Sequence, residues 1–119
     1  NAVSGGGTPL ETAGGKWEAP TAVLVDATTA SSGEATMLAF RGLDDSRSFG
    51  TPTAGFASAN MVYDFPDGSE LMLTVAKDKA RTGEEFSEDP VAPDTPTDSG
   101  DAALDEAKAW LHAEHGCEA

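Results

Sequence analysis

The stretch 22-AVLVDATTASSGEATMLAFRGL-43 decides how the chain is read. It opens on an apolar, β-branched run from Ala22 to Val25, crosses a turn of small residues from Asp26 to Ser31, and continues into residues able to start a helix. That is the layout of a strand, a tight turn and a helix N-terminus. The first amides of a helix have no intrahelical acceptor, so a serine in the turn would hold its hydroxyl where oriented N–H dipoles can stabilise an anion forming beside it. Ser31 is the candidate nucleophile on this reading. The competing reading is an ordinary N-cap, since serine is a preferred capping residue. Thr29-Ala30-Ser31-Ser32-Gly33 also lacks the first glycine of the G-x-S-x-G elbow, which disfavours an ordinary α/β-hydrolase.

The run Ala22 to Val25 is continuous rather than alternating, which suits a strand covered on both faces, as in a parallel sheet flanked by helices. The helix over Ser32 to Leu43 is nearly apolar all round (Ala35, Met37, Leu38, Ala39, Phe40, Leu43), so it is expected to be buried. Asp44 and Asp45 end it, and Arg47 to Gly50 is short enough for a second strand returning to the sheet. The loop Gly50 to Ser58 then follows a strand end, the usual ligand side of open α/β sheets. Asn60 to Phe65 and Glu70 to Ala76, joined by Pro66-Asp67-Gly68-Ser69, form a hairpin whose Met61, Tyr63 and Phe65 share a face; its expected role is scaffold.

Upstream, residues 1–16 are rich in Gly, Ser and Thr and read as a flexible N-terminal arm, with Trp17 expected to cover a core edge. Lys77, Lys79 and Arg81 form a basic cluster, read as solvated or paired with nearby acids such as Asp78 and Glu84. The acidic, proline-punctuated segment Glu84 to Gly100 is expected to be a surface connection. Asp98 or Ser99 can cap a last helix over Asp101 to His115, with Leu104, Ala107 and Leu111 as its stripe and Trp110 beside it.

The 119 residues allow one domain with a modest core, or part of a larger one. Seven basic against 21 acidic side chains give a net charge of −14, which argues against nucleic acid or an anionic membrane surface as partner. No apolar run is long enough for a membrane span. Cys117 is the one cysteine, so no internal disulfide forms. His112 and His115 stand a helical turn apart but match no H-E-x-x-H pattern, and Gly5 to Gly7 matches no phosphate-binding fingerprint. No metal or other cofactor is expected.

Taken together, TASSGEATMLAFRGL, RSFGTPTAG, ASAN, DGSELMLTVA, RTG and VAPD resemble the C-terminal half of the catalytic domain of S41-family serine peptidases, the group of tail-specific processing proteases, tricorn-type core proteases and retinoid-binding-protein modules. The likeness runs over about Thr21 to Leu111. It implies an α/β, ClpP/crotonase-like fold, here partial, with residues 17–119 forming the C-terminal part of the catalytic domain. It also places the nucleophile on Ser31, one oxyanion donor on the Ser32 amide, and Thr53, Gly55 and Asn60 in the neighbouring substrate loop. Pro52, Pro93 and Asp94 match further family positions. Two positions depart: the lysine base of the processing proteases is replaced by Phe56, and an acidic position after the serine falls on Gly42.

The resemblance thus implies a serine peptidase acting on peptide or protein substrates, with its base supplied elsewhere in the protein. The family's upstream glycine-rich turn and a PDZ-like domain have no counterpart here, and the chain opens on Asn-Ala; a piece of a longer peptidase, inactive alone, is expected, with the rest of that chain as partner. An extracytoplasmic location is implied by resemblance alone. The rival expectation is a non-catalytic binding or assembly module on the same fold. A purely structural acidic domain would instead have Ser31 Oγ bonded only to an amide two or three residues on.

Overall fold

The structure, a computed structural model, describes residues 18–118; the N-terminal arm and Trp17 lie outside the described residues. Its elements are β1 (Thr21–Val25), α1 (Ser32–Phe40), β2 (Ser46–Gly50), β3 (Ser58–Asp64), β4 (Glu70–Lys79), β5 (Glu85–Phe86), β6 (Thr95–Pro96) and α2 (Gly100–His115). β1, β2 and β6 form a parallel sheet in that order, and β3, β4 and β5 an antiparallel one. A parallel neighbour needs a crossover, and α1 supplies it between β1 and β2.

The two faces of the parallel sheet carry different cores. On one, Val25 packs with Met37 and Leu38 of α1 and with Ala57, Ala80 and Val91, flanked by Val23 and Phe86. On the other, Phe49 meets Ala103 and Ala107 of α2, with Ala22 and Trp110 alongside. Phe49 and Trp110 are tilted rings 5.7 Å apart, a geometry that aromatic pairs favour. Burying side chains such as Phe49 and Met37 contributes about 1.5–3 kcal/mol each. The continuous β1 run is therefore covered on both faces as expected, except at Leu24, which is 47% exposed.

Several expectations change. α1 stops at Phe40, three residues early, because Arg41 is extended and Gly42 turns the chain with φ 81°. Nor is the helix buried all round: Glu34, Met37 and Leu38 are its buried residues, while Ala35 and Ala39 face outward. On α2 the docking stripe is Ala103, Ala107 and Trp110, one residue round from the expected one, and Leu104 is exposed. The proline-rich connection is not purely superficial, since Val91 is fully buried and two short strands form within it.

That connection is pinned by polar contacts. Arg41 donates through Nε to Glu84 Oε2 (3.0 Å) and through Nη1 to the Ala92 carbonyl (2.9 Å), and its guanidinium lies 5.5 Å from the centre of the Phe86 ring. Asp94 Oδ2 accepts from both the Ser48 amide (2.9 Å) and hydroxyl (2.6 Å), which aligns β6 beside β2. In the basic cluster, exposed Lys79 pairs with the nearby acid Glu85, in line with expectation, whereas Arg81 donates to the Ala39 carbonyl at the end of α1. Ser99 caps α2 by accepting from the Ala102 amide at 3.2 Å. Ser99→Ala should cost about 1 kcal/mol in urea unfolding, the usual worth of an N-cap; no change would mean that the cap is replaced by solvent.

Candidate active site

The turn between β1 and α1 is built in two steps. Asp26 Oδ1 accepts from the Thr28 hydroxyl (2.6 Å), the Thr28 amide (2.8 Å) and the Thr29 amide (3.2 Å), a side-chain-closed turn that ends β1. These bonds hold the Asp26 carboxyl below its ordinary pKa. The chain then reaches Ser31, which has φ 50° and ψ −113° and is the one non-glycine with positive φ among the described residues. Such a backbone costs about 1–3 kcal/mol and persists only where its surroundings impose it.

Glu34 imposes it. The side chain is fully buried, and its carboxylate accepts four hydrogen bonds. Oε2 receives the Ser31 and Phe56 amides, each at 2.8 Å, while Oε1 receives the Gly55 amide at 2.9 Å and the Thr53 hydroxyl at 2.5 Å. Thr53 Oγ1 in turn accepts from the Val91 amide at 2.8 Å. Burial alone would push the Glu34 carboxyl up, but the bonds from Thr53, Gly55, Phe56 and Ser31 outweigh it and the net shift is downward. Asp78 moves the opposite way, raised by burial and then by the charge of Glu34. One carboxylate therefore joins the serine turn to the loop after β2 and, through Thr53, to the buried Val91.

Ser31 itself is exposed. Its hydroxyl faces the third helical amide, that of Glu34, in a capping-box arrangement whose other half runs from the Ser31 amide to the Glu34 carboxylate. That placement is the one the structural-domain expectation describes, but Ser31 also lines a crevice of about 350 Å³ with Ala30, Phe56, Ser58, Asn60, Thr74 and Glu88. Phe56 is 58% exposed and forms an apolar wall. Ser32 opens α1, where the first amides have no helical acceptor.

The other sequence-stretch candidates separate. Asn60 lines the crevice and accepts from the Thr74 hydroxyl at 2.9 Å. Thr53 and Gly55 are buried behind it, holding Glu34 rather than facing the crevice. The acid that serves the serine turn is Glu34 and not position 42, where Gly42 turns the chain after α1. Glu34 was missed although its signal was present, the Ser-x-x-Glu pattern of a capping box. Of the crevice residues only Glu88 is charged, and neither His112 nor His115 is among them. No group of His, Cys, Asp and Glu suited to a metal occurs among the described residues.

Fold and site together define an α/β protein that presents a serine on a strained strand-to-helix turn beside a crevice. More specifically, the chain belongs to peptidase family S41, which it matches over residues 5–97. It is 38% identical over 97 residues to the nisin-resistance protein of Lactococcus lactis subsp. lactis, an alignment covering 82% of this chain and 30% of that protein. A lipoprotein from Streptococcus agalactiae superposes with a TM-score of 0.73 at 35% identity, over 82% of this chain and 33% of the lipoprotein. Mature CPAF shares the fold, with a TM-score of 0.59 at 17% identity over 81% of this chain and 21% of its own. The chain thus spans about a third of the length of the first two relatives.

Proposed function

We propose that this chain is the portion of an S41 serine peptidase that carries the nucleophile. The observation that carries this reading is the state of Ser31: strained, exposed and on the wall of a crevice at a helix N-terminus. Ser31 Oγ attacks the scissile carbonyl of a peptide, and the oxyanion forms against the Ser32 amide. Collapse expels the amine and leaves an acyl-enzyme on Ser31, which water then hydrolyses. A serine hydroxyl needs a base to take its proton. None of the crevice side chains is the lysine of the processing proteases, whose position holds Phe56, so the base and the second oxyanion donor come from the rest of the peptidase. The described part alone is then inactive or nearly so. Likeness to a lipoprotein and to a nisin-resistance protein supports a place at the cell envelope, outside the cytoplasm. Among the described residues no helix is long and apolar enough to cross a membrane.

The test is labelling of the complete gene product containing this chain with a fluorophosphonate, beside its Ser31→Ala variant. Labelling confined to the unmodified serine is expected. Equal labelling of both would remove the assignment, and absence of labelling in a folded protein would favour the non-catalytic binding module that the Phe56 replacement permits.

A further inference from the structure

The hairpin leaves the crevice carrying an ordered ladder on one face. β3 and β4 pair Asn60 with Thr74, Val62 with Met72, and Asp64 with Glu70. Alternation along each strand puts these three pairs on one side of the ribbon. The first rung, Asn60–Thr74, lines the crevice beside Ser31. The second is apolar and open to solvent, with Val62 46% and Met72 64% exposed. The third places two carboxylates directly opposite each other. Like charges in that position destabilise a sheet unless a cation lies beside them. Asp64 and Glu70 enter none of the ion pairs found among the described residues.

Rungs two residues apart are spaced by about 6.5–7 Å, the same interval as alternate side chains of an extended peptide. We infer that this face is a continuation of the substrate crevice and reads an extended peptide bearing an apolar side chain two residues, and a basic side chain four residues, from the one at the Asn60–Thr74 rung. Continuity with the crevice selects the substrate peptide as occupant, and the carboxylate pair selects its charge. The opposite face, with Met61, Tyr63, Leu71 and Leu73 exposed, is uniformly apolar and would read no charge. The inference rests on the crevice being the substrate site, as proposed above.

The test uses the complete gene product and two fluorescent decapeptides identical except for one lysine or one glutamate placed two residues after a central leucine. The lysine peptide should show the higher kcat/KM, by about tenfold at low salt for two exposed charge pairs, and the preference should shrink as salt is raised. In the Asp64→Lys/Glu70→Lys variant the preference should reverse towards the glutamate peptide, with the fluorophosphonate labelling rate of Ser31 unchanged. Equal use of the two peptides by the unmodified protein, or an unaltered preference in the variant, overturns the ladder while leaving the nucleophile in place. If neither peptide is cleaved, binding followed by fluorescence anisotropy is judged by the same reversal, and missing label on Ser31 then counts against the peptidase reading alone.

Discussion

Glu34→Ala is expected to lower the unfolding free energy by about 3 kcal/mol or more, because four buried or half-buried donors lose their acceptor at once and each uncompensated group costs about 1–3 kcal/mol. For a domain of this size that is a fall in Tm of more than about 10 °C. Glu34→Gln should not rescue it, since the amide would present a donor to two of the four donors already there. The effect should reach Ser31 as well, because the strained turn loses the bond that opposes its relaxation. Thermal unfolding and fluorophosphonate labelling of the complete gene product measure the two consequences separately. A Gln variant with unchanged Tm would show that the carboxylate charge is not what holds the turn.

The same group sets a pH dependence whose sign follows from its depressed pKa. A carboxyl that ionises more readily folded than unfolded contributes stability above the ordinary pKa of 4.5 and loses it as pH falls through the lower folded value. Unmodified protein should therefore weaken on acidification below about pH 4.5, and the part of that slope due to Glu34 should be missing in Glu34→Gln. Urea titrations at pH 7 and at decreasing acid pH resolve it.

Gly50→Ala is expected to abolish folding. A Cβ at this position would stand 1.8 Å from the Val25 carbonyl oxygen, and Gly50 also has φ 137°. The obstacle is backbone, not a flexible side chain, so β1 and β2 would have to separate at the point where the loop to the crevice begins. The Thr51 amide would lose its bond to Val25 O (3.2 Å) and the Gly50 carbonyl its bond from Thr97 (2.7 Å). We expect a loss above about 4 kcal/mol, read as absent soluble protein or absent cooperative melting. Gly68→Ala is the control: its φ is also positive, at 84°, but a Cβ there meets nothing within 4 Å, so it should cost only about 1–2 kcal/mol. Comparable losses in the two variants would show that backbone conformation, and not the collision at Val25, governs position 50.

Much of the architecture was legible because it depends on neighbours in sequence. The apolar run before Asp26, the small-residue turn, the Ser99 cap and the alternating residues on both sides of Pro66–Ser69 each carry their own local signal, and β1, α1, β3, β4 and α2 form where those signals lie. The boundaries moved where a distant contact intervened. Arg81 takes the Ala39 carbonyl as α1 ends, and Val91 is drawn into the core from a segment whose prolines and acids read as surface.

The sequence by itself determined the strand, turn and helix around Ser31, the hairpin and the residues that share its faces, and the family to which the chain belongs. Only the tertiary structure decided that Glu34 accepts from the Ser31 amide, that Thr53 and Gly55 hold that carboxylate from behind the crevice, and that Asn60 and Thr74 of the hairpin line it. The physical reason is range. Propensity, capping and alternation act within a few residues, whereas the environment of a buried carboxylate is set by amides about twenty residues away, brought to it by the crossover between β1 and β2.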